Sequence, residues 1–501
     1  MKMGKGNANR TTSLKPAGIF NPIGLTLICL SIAVVAGFRR GAAPVVAGDF
    51  DLVILNGRVI DPESKLDAVR NVGVNAGKVI TVTPKPLTGR MAIDAKGLVV
   101  APGFIDLHEH GQIPENYRAQ AMDGVTSSFE LEVGTADVDR WYAEREGKAA
   151  VNFGVSIGHI PARMAVMNDN GEWLPSGPAA SKAATEAEIE ELKKRIERGL
   201  DRGAVAVGFG PAYTPAASHW EIQEMFRVAA KFNASCHVHL REAREPSIGA
   251  LGEVIAAAAI TGAPLHVVHI NSTGTQWTPR LLQIIGEARS RGLDVTTECY
   301  PYTAGMTRIE SALFDEGFQN RLGVDHKDLL WPETGERLTP ETFARYRKQG
   351  GGVIIFSNTE EMVRVAVRSP LTMIASDGIA YQNGKGHPRA AGTYARILAQ
   401  YVREEKSLGL MDAISKMSLM PARRLERRAP VMKNKGRIKA GADADIVVFD
   451  ADRVTDHATY ERPTEYSEGF KYVLINGMAV VKDGKLQESV TPGRPLRAPI
   501  R

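Results

Sequence analysis

The sequence predicts an α/β chain: a (β/α)8, TIM-like barrel with a small β-sandwich domain built from both termini. Three observations carry this. Strand-like and helix-like runs alternate through the middle, strand texture recurs at both ends, and several apolar runs of the middle stop abruptly at histidine or carboxylate. Composition agrees, since 44% hydrophobic and 24% charged residues are ordinary for a globular protein. A length of 501 residues leaves room for a barrel and a companion domain.

The ends come first. Asp51–Ile60 reads as a strand with a turn at Asn56-Gly57, followed by Val72–Val74, Lys78–Thr81 and Leu98–Val100. Ala444–Phe449 and Tyr472–Gly477 repeat the texture, so 49–101 and 431–490 are assigned to the β domain. Between them, 102–430 holds the apolar runs Val151–Ser156, Ala204–Gly208, Ala234–His239, Leu265–His269, Asp294–Glu298 and Met373–Asp377. Helical partners include Glu186–Arg202, Trp220–Phe232 and Pro246–Thr261. Repeated β-then-α of this length argues a parallel sheet, closed as a barrel, with its chemistry at the C-terminal strand ends.

Residues 1–48 stand apart. They hold Lys2, Lys5, Arg10, Lys15, Arg39 and Arg40 and no acid, which accounts for the formal charge of +5. Without these six, 56 bases face 57 acids, and nothing points to nucleic acid. A basic stretch, the apolar run Ile23–Phe38 and the small residues Gly41–Pro44 read as a secretory signal. Arg39-Arg40 directly after the run would also suit an uncleaved anchor. The expectation is export, periplasmic or secreted, or attachment to a membrane through this segment alone. Cys29 lies in it, while Cys236 and Cys299 fall in candidate barrel strands facing away from the lumen, so no disulfide is expected.

The strand ends carry the chemistry. In Phe104-Ile-Asp-Leu-His-Glu-His110, His108 and His110 are two apart and share the lumen face. A lone strand-end histidine usually makes a structural hydrogen bond. Several at successive strand ends suit a divalent metal, zinc first, as one or two ions. His237 and His239 share a face; His239, nearer the rim, is the ligand, and His237 fills a lower layer. His266 and His269 are three apart, so opposite faces are expected, His269 as ligand and His266 structural. Asp377 closes the set as a carboxylate able to touch metal and take a proton. Glu130 and Glu132 offer one more anionic ligand; Glu132, nearer the rim, is preferred, although either could instead pair with an arginine.

These residues resemble a known group. Pro102–His110 is similar to the opening metal motif of the amidohydrolase superfamily, and Gly436–Ile446 to its closing segment. Tyr300-Pro-Tyr-Thr-Ala-Gly305, Ser376-Asp-Gly378, His387–Thr393 and His239-Leu-Arg241 resemble the D-aminoacylase, or N-acyl-D-amino-acid deacylase, family over about 51–485. The resemblance implies hydrolysis of the amide bond of a small N-acyl-amino acid. It implies one metal site at His108 and His110 and another at His239 and His269. It makes Asp377 the general base and Tyr300 and Arg389 the groups that meet the substrate carboxylate. The chain departs from that pattern where Glu130–Gly134 lacks the family's cysteine ligand, at Met306 in place of a hydroxyl residue, and at Asn271 in place of a lysine. A cyclic amidase or dipeptidase of the same superfamily is the second reading, and a non-catalytic barrel binding protein the third. Lysine is absent from Val151–Ser156 and Ala204–Gly208, which disfavours the types that use a carboxylated lysine.

Overall fold

The computed structural model describes residues 50–501; the expected signal or anchor lies outside the described residues. Among the described residues no helix is long and apolar enough to cross a membrane.

Eight parallel strands form the barrel sheet: β1 (Phe104–Asp106), β2 (Val125–Thr135), β3 (Asn152–Gly158), β4 (Ala206–Phe209), β5 (Ser235–Val238), β6 (Leu265–Val267), β7 (Val295–Cys299) and β8 (Thr372–Ile374). They follow one another around the sheet from β1 to β7, and β8 pairs with β7. The ring closes just beyond the strands, where Glu109 and Gly378 form a parallel bridge and the His110 amide donates to the Gly378 carbonyl at 2.7 Å. Every residue of β3 and β4 is buried, as expected of strands covered on both faces.

The helices are set by their sequence. In Glu186–Asp201, Thr185 and Glu188 form a capping box, and Ile189, Leu192, Ile196 and Leu200 recur at helical spacing to face the sheet. Cys236 and Cys299 point outward into this helix–sheet core as free thiols.

The strands contributed by the two ends make one continuous nine-stranded sheet. Val99–Pro102 and Ile446–Phe449 join its halves antiparallel, and Val59, Val100, Ile446 and Val448 lie in its own apolar core. The chain beyond 490 returns to the barrel, where the Phe153 amide donates to the Arg494 carbonyl and the Leu496 amide to the Phe153 carbonyl. Asn152, Asp445 and Asn476 tie the sheet to the barrel through buried hydrogen bonds of 2.7 and 2.9 Å, with the Lys435 ammonium 2.6 Å from Asp445.

The long stretch between β7 and β8 holds a four-stranded sheet of Ala304–Arg308, Gly352–Phe356, Leu329–Trp331 and Glu336–Arg337. It has its own core, with Trp331 stacked on Tyr346 at 4.0 Å. This element is not among the sequence expectations. It supplies one wall of the cavity described next.

Candidate metal centre and active site

Strand ends β1, β2, β5, β6 and β8 converge on one point. His108 and His110 present their Nε2 atoms 3.1 Å apart. Glu132, near the end of β2, puts Oε2 2.8 Å from His108 Nε2 and 3.3 Å from His269 Nε2, and Oε1 3.2 Å from His239 Nδ1. Asp377 Oδ1 lies 3.4 Å from His108 Nε2 and 3.5 Å from His110 Nε2. The donor atoms form two groups, His108–His110–Glu132–Asp377 and Glu132–His239–His269, each within 4.8 Å. Glu132 is their shared member. Imidazole nitrogens and carboxylate oxygens aimed at a common point are a donor set for a divalent ion such as zinc, and a carboxylate shared between two groups suits a pair of ions. All six side chains named in the sequence as ligands are thus brought together.

Two of these donors depend on unusual backbone. His269 has φ 30° and Asp377 φ 53°, in the left-handed region that costs non-glycine residues energy. At His269 this overturns the expectation that His266 and His269 face opposite ways. β6 stops at Val267, the chain turns, and both imidazoles enter the lumen.

Further hydrogen bonds hold these donors in place. His110 Nδ1 is 2.6 Å from Glu130 Oε2, whose other oxygen accepts from the Val133 and Gly134 amides at 3.1 Å. His108 Nδ1 is 2.6 Å from Glu298 Oε1. Glu130 therefore orients a ligand while Glu132 joins the donor set. Asp377 is buried beside Arg389, with Nη1 2.9 Å from Oδ2. Burial raises the Asp377 carboxyl, but the Arg389 guanidinium and His108 outweigh it and hold it at about 2. Burial likewise raises Glu132, and His239, His108 and His269 hold it well below the usual carboxylate range. Both carboxylates are thus held in the ionised form, the form in which a carboxylate can bind a metal.

Above the donor set opens a cavity of about 380 Å³. Tyr300 and Met306 line one side, Trp173 and Tyr213 another, and Leu313 and Arg321 of the inserted sheet region a third. Trp173 packs edge-on against His110 at 4.8 Å. Arg389 is buried behind Tyr300, its guanidinium 4.7 Å from the ring centroid; Nη1 is held by Asp377, and Nε has no hydrogen-bond partner. Gly305 stands between: a side chain there would come within 3.0 Å of Tyr300 Oη and 3.6 Å of Arg389 Nη1. Asn271, in the lysine's place, donates to the Tyr300 carbonyl at 3.0 Å and is buried. The sequence did not single out Glu298 or Trp173; for Glu298 the signal was its spacing of two from Tyr300 on the lumen face.

Comparison with known proteins agrees with this architecture. The model of the amidohydrolase family matches residues 91–151 and 159–481. An N-acyl-D-glutamate deacylase of Alcaligenes xylosoxydans xylosoxydans is 30% identical over 89% of this chain and 96% of its own. A D-aminoacylase of the same organism is 29% identical over 86% and 94%. Among solved structures, N-acyl-D-glutamate deacylase from Bordetella bronchiseptica, complexed with zinc and a phosphonate mimic of the tetrahedral intermediate, superposes with a TM-score of 0.76. It is 27% identical and covers 90% of this chain and 100% of that one. A D-aminoacylase structure concerned with a binuclear metal centre gives 0.77 at 26% identity, over 89% and 100%. With eight parallel strands, a candidate metal-donor set at their C-terminal ends and a family match across most of its length, the chain belongs to the amidohydrolase family.

Proposed function

We propose that this protein is a zinc-dependent hydrolase that cleaves the amide bond of N-acyl-D-amino acids. The observation that carries the reading is the Glu132-shared donor set at the floor of a cavity large enough for a small amide. The relatives' names supply the substrate class. A divalent ion held by His108, His110, Glu132, His239, His269 and Asp377 would acidify a water molecule and polarise the amide carbonyl.

The chain's own groups do the rest. Asp377, kept ionised by Arg389, accepts the proton of the attacking water and passes it to the leaving nitrogen. Tyr300 and Arg389 meet the substrate carboxylate; the unpartnered Nε of Arg389 and the opening left by Gly305 support this role. Trp173, Tyr213 and Leu313 shield the acyl group from water. The absence of lysine from β3 and β4 weighs against a cyclic amidase built on a carboxylated lysine. Residues 1–48, with basic, apolar and small segments in that order, support export or membrane anchoring.

The test combines metal content with hydrolysis of matched N-acyl-D and N-acyl-L amino acids. Preference for D substrates is expected, and preference for L substrates overturns the substrate class. His269→Ala should lose metal, and Asp377→Asn should lose turnover while keeping most of its metal. Undiminished turnover in both variants overturns the site.

A further inference from the structure

Below the metal ligands the barrel lumen is polar. β7 and the residue that follows it place Thr296, Glu298 and Tyr300 on one face, at the base, the middle and the mouth. Glu298 is buried and accepts from two imidazoles, His108 Nδ1 at 2.6 Å and His266 Nε2 at 2.9 Å. His266 Nδ1 is 2.8 Å from Thr296 Oγ1. Arg424 Nη1 donates to the same oxygen at 3.2 Å and is itself gripped by Asp294 at 2.7 and 2.9 Å.

The donor count fixes the direction of every bond. An ionised carboxylate only accepts, so His108 Nδ1 and His266 Nε2 must both carry hydrogens. Burial, against the pull of Glu298, leaves His266 below its ordinary value and neutral, so its Nδ1 is an acceptor. Arginine only donates, so Thr296 Oγ1 takes its hydrogen bond and turns its own hydrogen to His266 Nδ1. The other acceptor for that hydrogen, the Leu265 carbonyl, is farther at 3.4 Å. His237 lies tilted against His266, ring centroids 4.6 Å apart, and bonds Ser235 Oγ through Nε2 at 3.0 Å rather than Thr296, His266 or Glu298.

We propose that Thr296, His266 and Glu298 form a one-way hydrogen-bond relay, anchored at the barrel base by Arg424 and Asp294, that fixes the tautomer and tilt of the metal ligand His108. The relay keeps the His108 hydrogen on Nδ1 and turns the Nε2 lone pair to the donor set. Thr296 and His266 are positioning residues, acting through Glu298 on a site they do not touch. The inference rests on the metal reading above but not on any substrate, so failure of the amide panel leaves it standing.

The experiment measures zinc affinity by chelator competition in full-length Thr296→Val, Thr296→Ser and Glu298→Gln, with ¹⁵N-histidine spectra of the zinc-loaded wild type. Thr296→Val should weaken zinc about tenfold and Glu298→Gln about 10–100-fold, the range for groups that orient a metal-bound histidine. Thr296→Ser keeps the hydroxyl and should restore wild-type affinity, which a role limited to filling space would not require. The His266 spectrum should show hydrogen on Nε2. Folded Thr296→Val and Glu298→Gln that bind zinc within about twofold of wild type would overturn the relay. So would a wild-type His266 with its hydrogen on Nδ1, a result that needs no variant to fold.

Discussion

Replacing Glu221 by glutamine tests the cavity wall from behind. Glu221 is fully buried, with Oε1 2.7 Å from His159 Nε2 and 2.8 Å from Arg163 Nε. Arg163 also binds the Ala179 carbonyl and, at 2.7 Å, the Lys182 carbonyl. It thereby pins the far end of the segment that carries Trp173 to the cavity. Burial raises the Glu221 carboxyl, but the His159 and Arg163 contacts outweigh it and bring it from 4.5 to about 2. At 1.36 kcal/mol per unit, that depression contributes about 3 kcal/mol of stability. A depressed carboxyl stabilises above its unfolded value and loses the effect as pH falls toward the folded one, so the window runs from about 4.5 down to about 2. Glutamine has no charge to lose. Denaturant unfolding of the metal-free proteins should therefore separate wild type from Glu221→Gln by about 3 kcal/mol at pH 7 and by about 1 kcal/mol near pH 3. A gap of equal size at both pH values, or one below about 1 kcal/mol at pH 7, would refute the reasoning.

Four further outcomes follow from distances already given. Glu132→Gln removes the one anion shared by both donor groups, so elemental analysis should show loss of at least one equivalent of zinc. Glu130→Gln spares the donor set but loosens His110, and chelator competition should show zinc about 10–100-fold weaker. Met306→Ser restores a hydroxyl to the cavity lining; one hydrogen bond of about 1 kcal/mol should raise kcat/KM for N-acyl-D-amino acids about fivefold. Lys435→Met strips the buried cation from Asp445 at 2.6 Å and Asp443 at 3.0 Å, and unfolding should cost about 3–5 kcal/mol less than in wild type.

Much of the fold was legible because its elements are local. Glu186–Asp201 announces itself by its helical period, and β3 to β7 by apolar runs bounded by polar residues. The donor set was legible for a related reason: strand-end position and the two-residue period place His108, His110 and His239 without knowledge of the rest. Glu132 over Glu130 followed from depth along β2, and the structure gives the two carboxylates different neighbours, since Glu132 faces three imidazoles and Glu130 orients one. His266 was misread because strand alternation was carried past Val267, where the backbone turns at φ 30°. The inserted sheet was missed because Ala304–Arg308 and Gly352–Phe356 pair across a long separation that no local pattern reports. The Arg389–Asp377 contact joins a helix start to a strand end and is equally invisible in sequence.

The bridge between Glu109 and Gly378 has a consequence for the order of events in synthesis. His108 and His110 sit beside the first barrel strand, and Asp377 follows the last. A growing chain holds its first imidazoles long before the aspartate is made: the Glu132–His239–His269 group is spelled out by residue 269, but the His108–His110–Glu132–Asp377 group only at residue 377. Closure of the ring and completion of the group that contains Asp377 are one late event of high contact order. Zinc captured by a fragment would meet fewer ligands than the finished site provides, so the metal can act as a seal on a completed barrel rather than as a nucleus for building one.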